Sequence, residues 1–162
     1  MYLNGIMLIS SILDFTTTDF NLNNDLPYIM FLPGYTATAW YHEVLKPHKP
    51  LQTWLAEAEE FALGDYAHAL LKGNSLTKEE RADIVKRLAQ FTGISEQFIE
   101  RSNLRINDQH FFKELLRERG LTVGRLDSRL IGRDRLGVKE TPEYDPLITN
   151  IMGPYTAAFY DY

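Results

Sequence analysis

The chain has 162 residues, 44% of them hydrophobic, 24% charged and 12% aromatic, which supports one folded domain with a buried core and excludes wholesale disorder. Its net charge of -5 gives no overall attraction to nucleic acid or an anionic membrane, and no apolar run approaches the roughly 18–20 residues that span a bilayer. With no cysteine there is no disulfide scaffold, thiolate nucleophile or Cys-ligated metal site.

Leu3 to Phe15 opens with an unbroken apolar run, Ile6 to Ile9, bounded by Asn4-Gly5 and Ser10-Ser11. That is the pattern of a strand buried on both faces in the middle of a parallel sheet, and such a strand needs neighbours. No basic region precedes the run, which argues against a signal peptide. Ser10 and Ser11 stand where a parallel strand ends, the place where open α/β sheets bind ligands, so both are candidate pocket-lining residues. The plainer reading is two hydroxyls that close a strand and start a turn. Polar residues from Thr16 to Asp25 follow as a linker.

Tyr28 to Leu32 lies between Pro27 and Pro33 and predicts a buried extended connection. Gly34 to Leu45, with Tyr35, Ala39, Trp40 and Val44 at helical spacing, predicts a helix stopped by Pro47 and Pro50. The strongest helical pattern is Leu51 to Leu71, where apolar residues recur at three and four positions opposite Glu57, Glu59, Glu60 and Asp65. Thr77-x-x-Glu80 is a capping box that opens a helix ending at Gly93. Ser95 and Asn107 predict caps of two further helices, the second closed by Gly120. Helices of this length and amphipathicity depend on burying their apolar faces.

Leu121 to Lys139 is punctuated by Gly124, Gly132 and Gly137 and carries Arg125, Arg129, Arg133, Arg135 and Lys139. It predicts a basic loop with a short hairpin near 121–131. Asp145-Pro146 predicts the start of a last helix with Leu147, Ile148, Ile151 and Met152 on one face, kinked at Gly153-Pro154. The fold class expected is therefore mainly α, with one or two short β segments at the N-terminus and the hairpin.

Catalytic chemistry is sparse. No serine has the flanking glycines of Gly-x-Ser-x-Gly. His42, His48, His68 and His110 lack metal-binding spacing, and Glu59-Glu60 point about 100° apart on a helix, a poor general acid and base pair. No catalytic, cofactor-binding or metal-binding residue is assigned. The arginines from Arg125 to Arg135 could meet phosphate or carboxylate, yet Asp127 and Asp134 are interleaved with them, so internal ion pairs are the expectation.

Several blocks bring a family into view: Leu3 to Phe15, Asn24 to Tyr28, Leu32 to His42, Ala69 to Asn74, Lys113 to Arg117, Gly124 to Arg129 and Tyr144 to Pro146. Together they resemble the middle of the bacterial serine carboxypeptidase-like peptidases, with Gly34 standing where a residue with a side chain is commoner. The resemblance implies an α/β-hydrolase whose helical insertion, or lid, covers the active site. It divides the chain into a strand and connection from the hydrolase sheet (1–33), a helical lid (34–120), a basic loop or hairpin (121–140) and a truncated return helix (141–162). It also implies that the catalytic serine lies upstream of Met1, so no triad residue falls within the chain. The expected partners are the remainder of the hydrolase domain and, in the full protein, a peptide substrate. Neither nucleic acid nor membrane is among them, and a second copy is expected to pair through the N-terminal strand. Cytoplasm and periplasm both stay open. The alternative is a stand-alone helical module, its acidic helix Leu51 to Leu71 and basic Arg125 to Lys139 meeting partners of opposite sign.

Overall fold

A computed structural model describes residues 4–162. Helices dominate it, accompanied by one short antiparallel hairpin, as the sequence predicts. The first helix, α1 (Leu26–Tyr41), overturns the extended connection expected between Pro27 and Pro33. Pro27 falls in the first helical turn, where a missing N–H costs nothing. Pro33 lies inside the helix and forfeits a backbone hydrogen bond, a loss of about 3 kcal/mol in an isolated helix. Packing offsets it: Leu32, Tyr35, Thr36 and Ala39 are all buried, with α1 set against α2 and α4.

Next comes α2 (Leu51–Phe61), which runs through a single π turn, Ala62–Tyr66, into α3 (Ala67–Lys72). The predicted helix from Leu51 to Leu71 is present, interrupted by that one-residue insertion. Such a π turn re-aims the faces on either side of it. Phe61, Ala62 and Tyr66 thus stay on the core side while Leu63, Gly64 and Asp65 face water.

The four-turn α4 (Lys78–Thr92) starts at the predicted capping box, with the Thr77 hydroxyl accepting the Glu80 N–H at 3.1 Å and the Glu80 carboxylate accepting the Thr77 N–H at 3.0 Å. It ends at Gly93, whose φ of 69° is the left-handed conformation that glycine takes at a helix end. Ser95 and Asn107 cap α5 (Glu96–Arg101) and α6 (Asp108–Glu114) as expected. A two-residue ladder then pairs β1 (Thr122–Val123) with β2 (Ile131–Gly132). Last comes α7 (Pro146–Asp161), capped by Asp145; it continues past Pro154 to Asp161.

The core is aromatic. Trp54 meets Phe91 edge-on at 5.9 Å, Phe61 stacks on Phe91 at 5.3 Å, and Tyr35 stacks on Phe111 at 4.1 Å. Each fully buried Leu, Ile or Phe contributes about 1.5–3 kcal/mol, so this one cluster can carry the domain. Beside it, the connection between α5 and α6 places Asn103 and Leu104 at φ of 52° and 65°, a left-handed pair without glycine. Two phenols hold it. Tyr66 donates to the Leu104 carbonyl at 2.6 Å and Tyr35 to the Ile106 carbonyl at 3.4 Å, while Arg105 forks onto Asp25 at 2.6 and 2.7 Å. Burial pushes both tyrosine hydroxyls well above their ordinary pKa, so they remain donors.

The N-terminal stretch departs from the helical body. Leu3 lies outside the described residues, and residues 4–9 form no ladder with any other described strand. Asp14 caps the first regular element of the described chain, a 3-10 turn at Phe15–Thr17, and Asn24 fastens the linker by donating to the Thr16 and Asp19 carbonyls, both at 2.8 Å.

Candidate functional site

The hairpin and the loop after it lie between the C-terminal end of α1 and α6. From the α6 side, the Thr122 hydroxyl donates to the Phe112 carbonyl at 3.0 Å. At the α1 end, the Thr38 and Ser128 hydroxyls meet at 2.9 Å and the His42 Nε2 lies 2.7 Å from the Ser128 carbonyl. A carbonyl only accepts, so Nε2 carries the proton. Ser128 and His42 are thereby neighbours without being a nucleophile and base: the imidazole N–H is spent on a backbone oxygen and does not address the Ser128 hydroxyl. Nothing in the sequence signals this cluster, since 86 residues separate its serine from its histidine.

Arg129 forks onto Asp127 at 2.9 and 2.7 Å, and together with the Arg129 N–H it holds the Asp127 carboxyl down at about 2. Arg135 and Lys139 converge on Glu143 at 3.5 and 3.0 Å. Beneath them α6 and the turn after it supply two more cations. The buried Lys113 ammonium pairs with Asp134 and donates to the Leu136 carbonyl at 3.0 Å. Arg117 pairs with Glu114 and donates to the carbonyls of Gly137 and Lys139. The expected internal pairing holds only in part: of the two interleaved carboxylates Asp127 takes Arg129, Asp134 instead takes Lys113 of α6, and Glu143 from beyond the segment takes Arg135 and Lys139. Among the described residues Arg125 and Arg133 have no carboxylate partner.

Of the clefts that open among the described residues, three bear on the search for a site among the helices and the hairpin. The largest, about 420 Å³, lies between Val44–Lys46, Gly93–Ser95 and Glu114–Glu118, and the Arg117 on its wall is fully engaged. A second of about 230 Å³ gathers Asp65, His68, Lys72, Glu80 and Asp83. Asp65 pairs there with Arg87 and Glu80 with Lys72, and no group of three potential metal ligands exists among the described residues. The third, about 220 Å³, lies against Phe112, Val123 and Arg125.

Two apolar surfaces are left uncovered. Ile6, Met7, Leu8 and Ile9 are 60–84% exposed. On α7 only Pro146 is buried, and Met152, Tyr155, Phe159 and Tyr160 face water. No helix of the described chain is long and apolar enough to cross a membrane. Ser10 and Ser11 sit at the end of the first of these surfaces. Both are exposed, Ser10 in a left-handed conformation at φ 51° and Ser11 donating to the Ile9 carbonyl at 3.4 Å; neither lines any of the three clefts.

No protein-family model matches the chain, and searches of curated proteins and of solved structures return no match.

Proposed function

We propose that this chain is the lid, or helical insertion, of a serine carboxypeptidase-like hydrolase that removes C-terminal residues from peptides, and that it has no peptidase activity alone. The observation that carries the reading is the pair of uncovered apolar surfaces at Ile6–Ile9 and along α7, attached to a helical body with a buried core of its own. Monomeric soluble proteins rarely leave contiguous apolar patches of this kind without an occupant. In this reading the occupant is the hydrolase sheet, with Ile6–Ile9 entering it as a strand and α7 lying across it. The sequence blocks that resemble the family point to the same arrangement.

The helical-module alternative receives less support, because about half of the charges it relies on are paired within the chain. Glu57 is held by Lys49 and Asp65 by Arg87, while Glu143 takes both Arg135 and Lys139.

Assay of the purified chain on an N-blocked dipeptide is expected to show no turnover. Turnover abolished by a serine-directed inhibitor would overturn the claim of inertness. The encoding gene tests the lid reading separately: a reading frame that continues upstream into Gly-x-Ser-x-Gly supports it, and one confined to these 162 residues overturns it. Without the sheet, Ile6–Ile9 is a free edge, and a second copy is its most accessible partner. Light scattering is expected to detect dimers or larger species that disappear when Ile6 and Leu8 are replaced by Lys; a monomer at high concentration would reject the pairing.

A further inference from the structure

We propose that a further cleft, in front of α1, binds a single sugar ring. About 200 Å³ in volume, it opens where the linker meets the start of α1 and the α5–α6 connection. That is room for one ring and less than the roughly 300–1,000 Å³ of pockets that enclose drug-sized ligands.

Its charge is balanced. Asp25 and Arg105 face it as a forked pair, and no other charged residue lines it among those described. An ion of either sign would find the opposite charge already engaged, so the site favours a neutral guest. The pair still offers hydrogen bonds. Three of the five Arg105 N–H groups are spent, two on Asp25 and one on the Asn103 carbonyl at 3.2 Å, and each Asp25 oxygen keeps a lone pair.

The neighbouring polar groups are unoccupied and held in place. The Asn21 and Asn23 carboxamides and the Tyr28 hydroxyl line the cleft without a hydrogen bond to any described residue. The turn that carries the two asparagines is closed by the Asn24 N–H on the Asn21 carbonyl at 3.1 Å, with Asn23 at φ 68°, a left-handed conformation that asparagine tolerates. Arg105 follows the left-handed pair Asn103 and Leu104, and such strain persists only where contacts over-determine it, as the Tyr66 and Tyr35 bonds do here.

The remaining wall is aromatic. Phe20 meets the Tyr28 and Phe31 rings edge-on at 5.0 and 5.2 Å, which fixes its plane, and Phe20 and Tyr28 both line the cleft half-buried. Burial pushes the Tyr28 hydroxyl above its ordinary pKa, so it stays a neutral donor. A sugar ring packs its C–H face on an aromatic wall, and its adjacent hydroxyls, each both donor and acceptor, can engage carboxylate, guanidinium and carboxamides together. A peptide amide, with one donor and one acceptor on opposite edges, would leave most of these groups unmet. The inference does not depend on the lid reading.

Titration of the whole chain, followed by its amide NMR signals, tests the site with D-glucose, D-mannose and D-galactose, their methyl glycosides, and N-acetylglycinamide as the amide control. Saturable shifts at Asn21, Asn23, Tyr28 and Arg105 are expected with at least one sugar, and none with the amide at the same concentration. Asn23→Gly, which keeps the left-handed backbone, and Tyr28→Phe should each weaken that sugar between roughly twofold and tenfold, the worth of one hydrogen bond. Gln90→Ala, on the largest cleft, should leave it unchanged. A methyl glycoside that binds as tightly as its free sugar identifies the end of a glycan chain as the ligand, and binding of the free sugar alone identifies a monosaccharide. The absence of saturable shifts with every sugar, equal binding of the amide, full affinity in either cleft variant, or an equal loss in Gln90→Ala would overturn the site.

Discussion

Replacing Lys113 by Met should loosen one side of the molecule. The Lys113 and Asp134 side chains are each only 3% exposed, so the pair interacts where water screens it poorly. Removing the ammonium leaves the Asp134 carboxylate with the Glu143 N–H at 3.1 Å as its remaining partner, and leaves the Leu136 carbonyl only the long contact from the Lys139 N–H at 3.5 Å. Breaking a buried ion pair on one side costs about 3–5 kcal/mol, which for a chain of this length is a fall in Tm of roughly 6–20 °C. The cost has a ceiling. Residues 133–143 can swing into water and hydrate Asp134, so the loss cannot exceed the free energy of that local opening. Thermal denaturation and peptide-level hydrogen exchange together cover both routes: either Tm drops within that range, or residues 133–143 exchange much faster at nearly constant Tm. The double variant Lys113→Met with Asp134→Leu removes both charges and should recover most of the loss. A single variant with unchanged Tm and unchanged exchange across 133–143 would refute the reasoning, as would a double variant less stable than the single one.

Gly132→Ala places a Cβ against the Tyr144 hydroxyl and 3.1 Å from Pro146 Cγ, an overpacking that should cost about 1–3 kcal/mol in urea denaturation; adding Tyr144→Phe should restore part of it. Thr77→Ala removes the α4 cap and should cost about 0.5–2 kcal/mol by the same measurement. At the other half of that capping box, the Lys72 ammonium and then the Thr77 N–H hold the Glu80 carboxyl below its ordinary value. Its folded pKa is thus lower than its unfolded one, so the stabilisation is present above the unfolded value and is lost as pH falls through the folded one. Glu80→Gln should therefore destabilise near neutral pH and converge on the parent as pH falls through the folded pKa of Glu80, below which both carry a neutral side chain. A difference that persists in acid would contradict this assignment.

The elements that could be read from sequence are those decided within four residues. Thr77, Ser95, Asn107 and Asp145 all cap the helices they were expected to cap, because a cap joins a side chain to a backbone N–H two or three positions on. The second half of α1, from Gly34, was legible; its first half escaped because the segment is apolar on most sides, leaving no stripe to detect, and because two prolines imitate boundaries that burial of Leu32, Tyr35 and Ala39 overrides. The π turn at Ala62–Tyr66 escaped because one inserted residue barely disturbs a pattern of threes and fours. At the candidate site, the Asp127–Arg129 pair is two residues apart and was legible, whereas Lys113–Asp134 and His42–Ser128 depend on tertiary contacts that no spacing encodes. Ile6–Ile9 has the composition of a strand, but a ladder needs a second strand, and the described residues offer none there.

The two phenols on the α5–α6 connection make a triangulated brace. Tyr35 from α1 and Tyr66 from the π turn grip carbonyls two residues apart, so the two helices and the connection form three sides of one rigid frame. Sliding α1 along α2 would break at least one grip. A body braced this way resists bending through its middle, so large motions are concentrated where the frame stops, at the linker before Leu26 and the loop before Pro146.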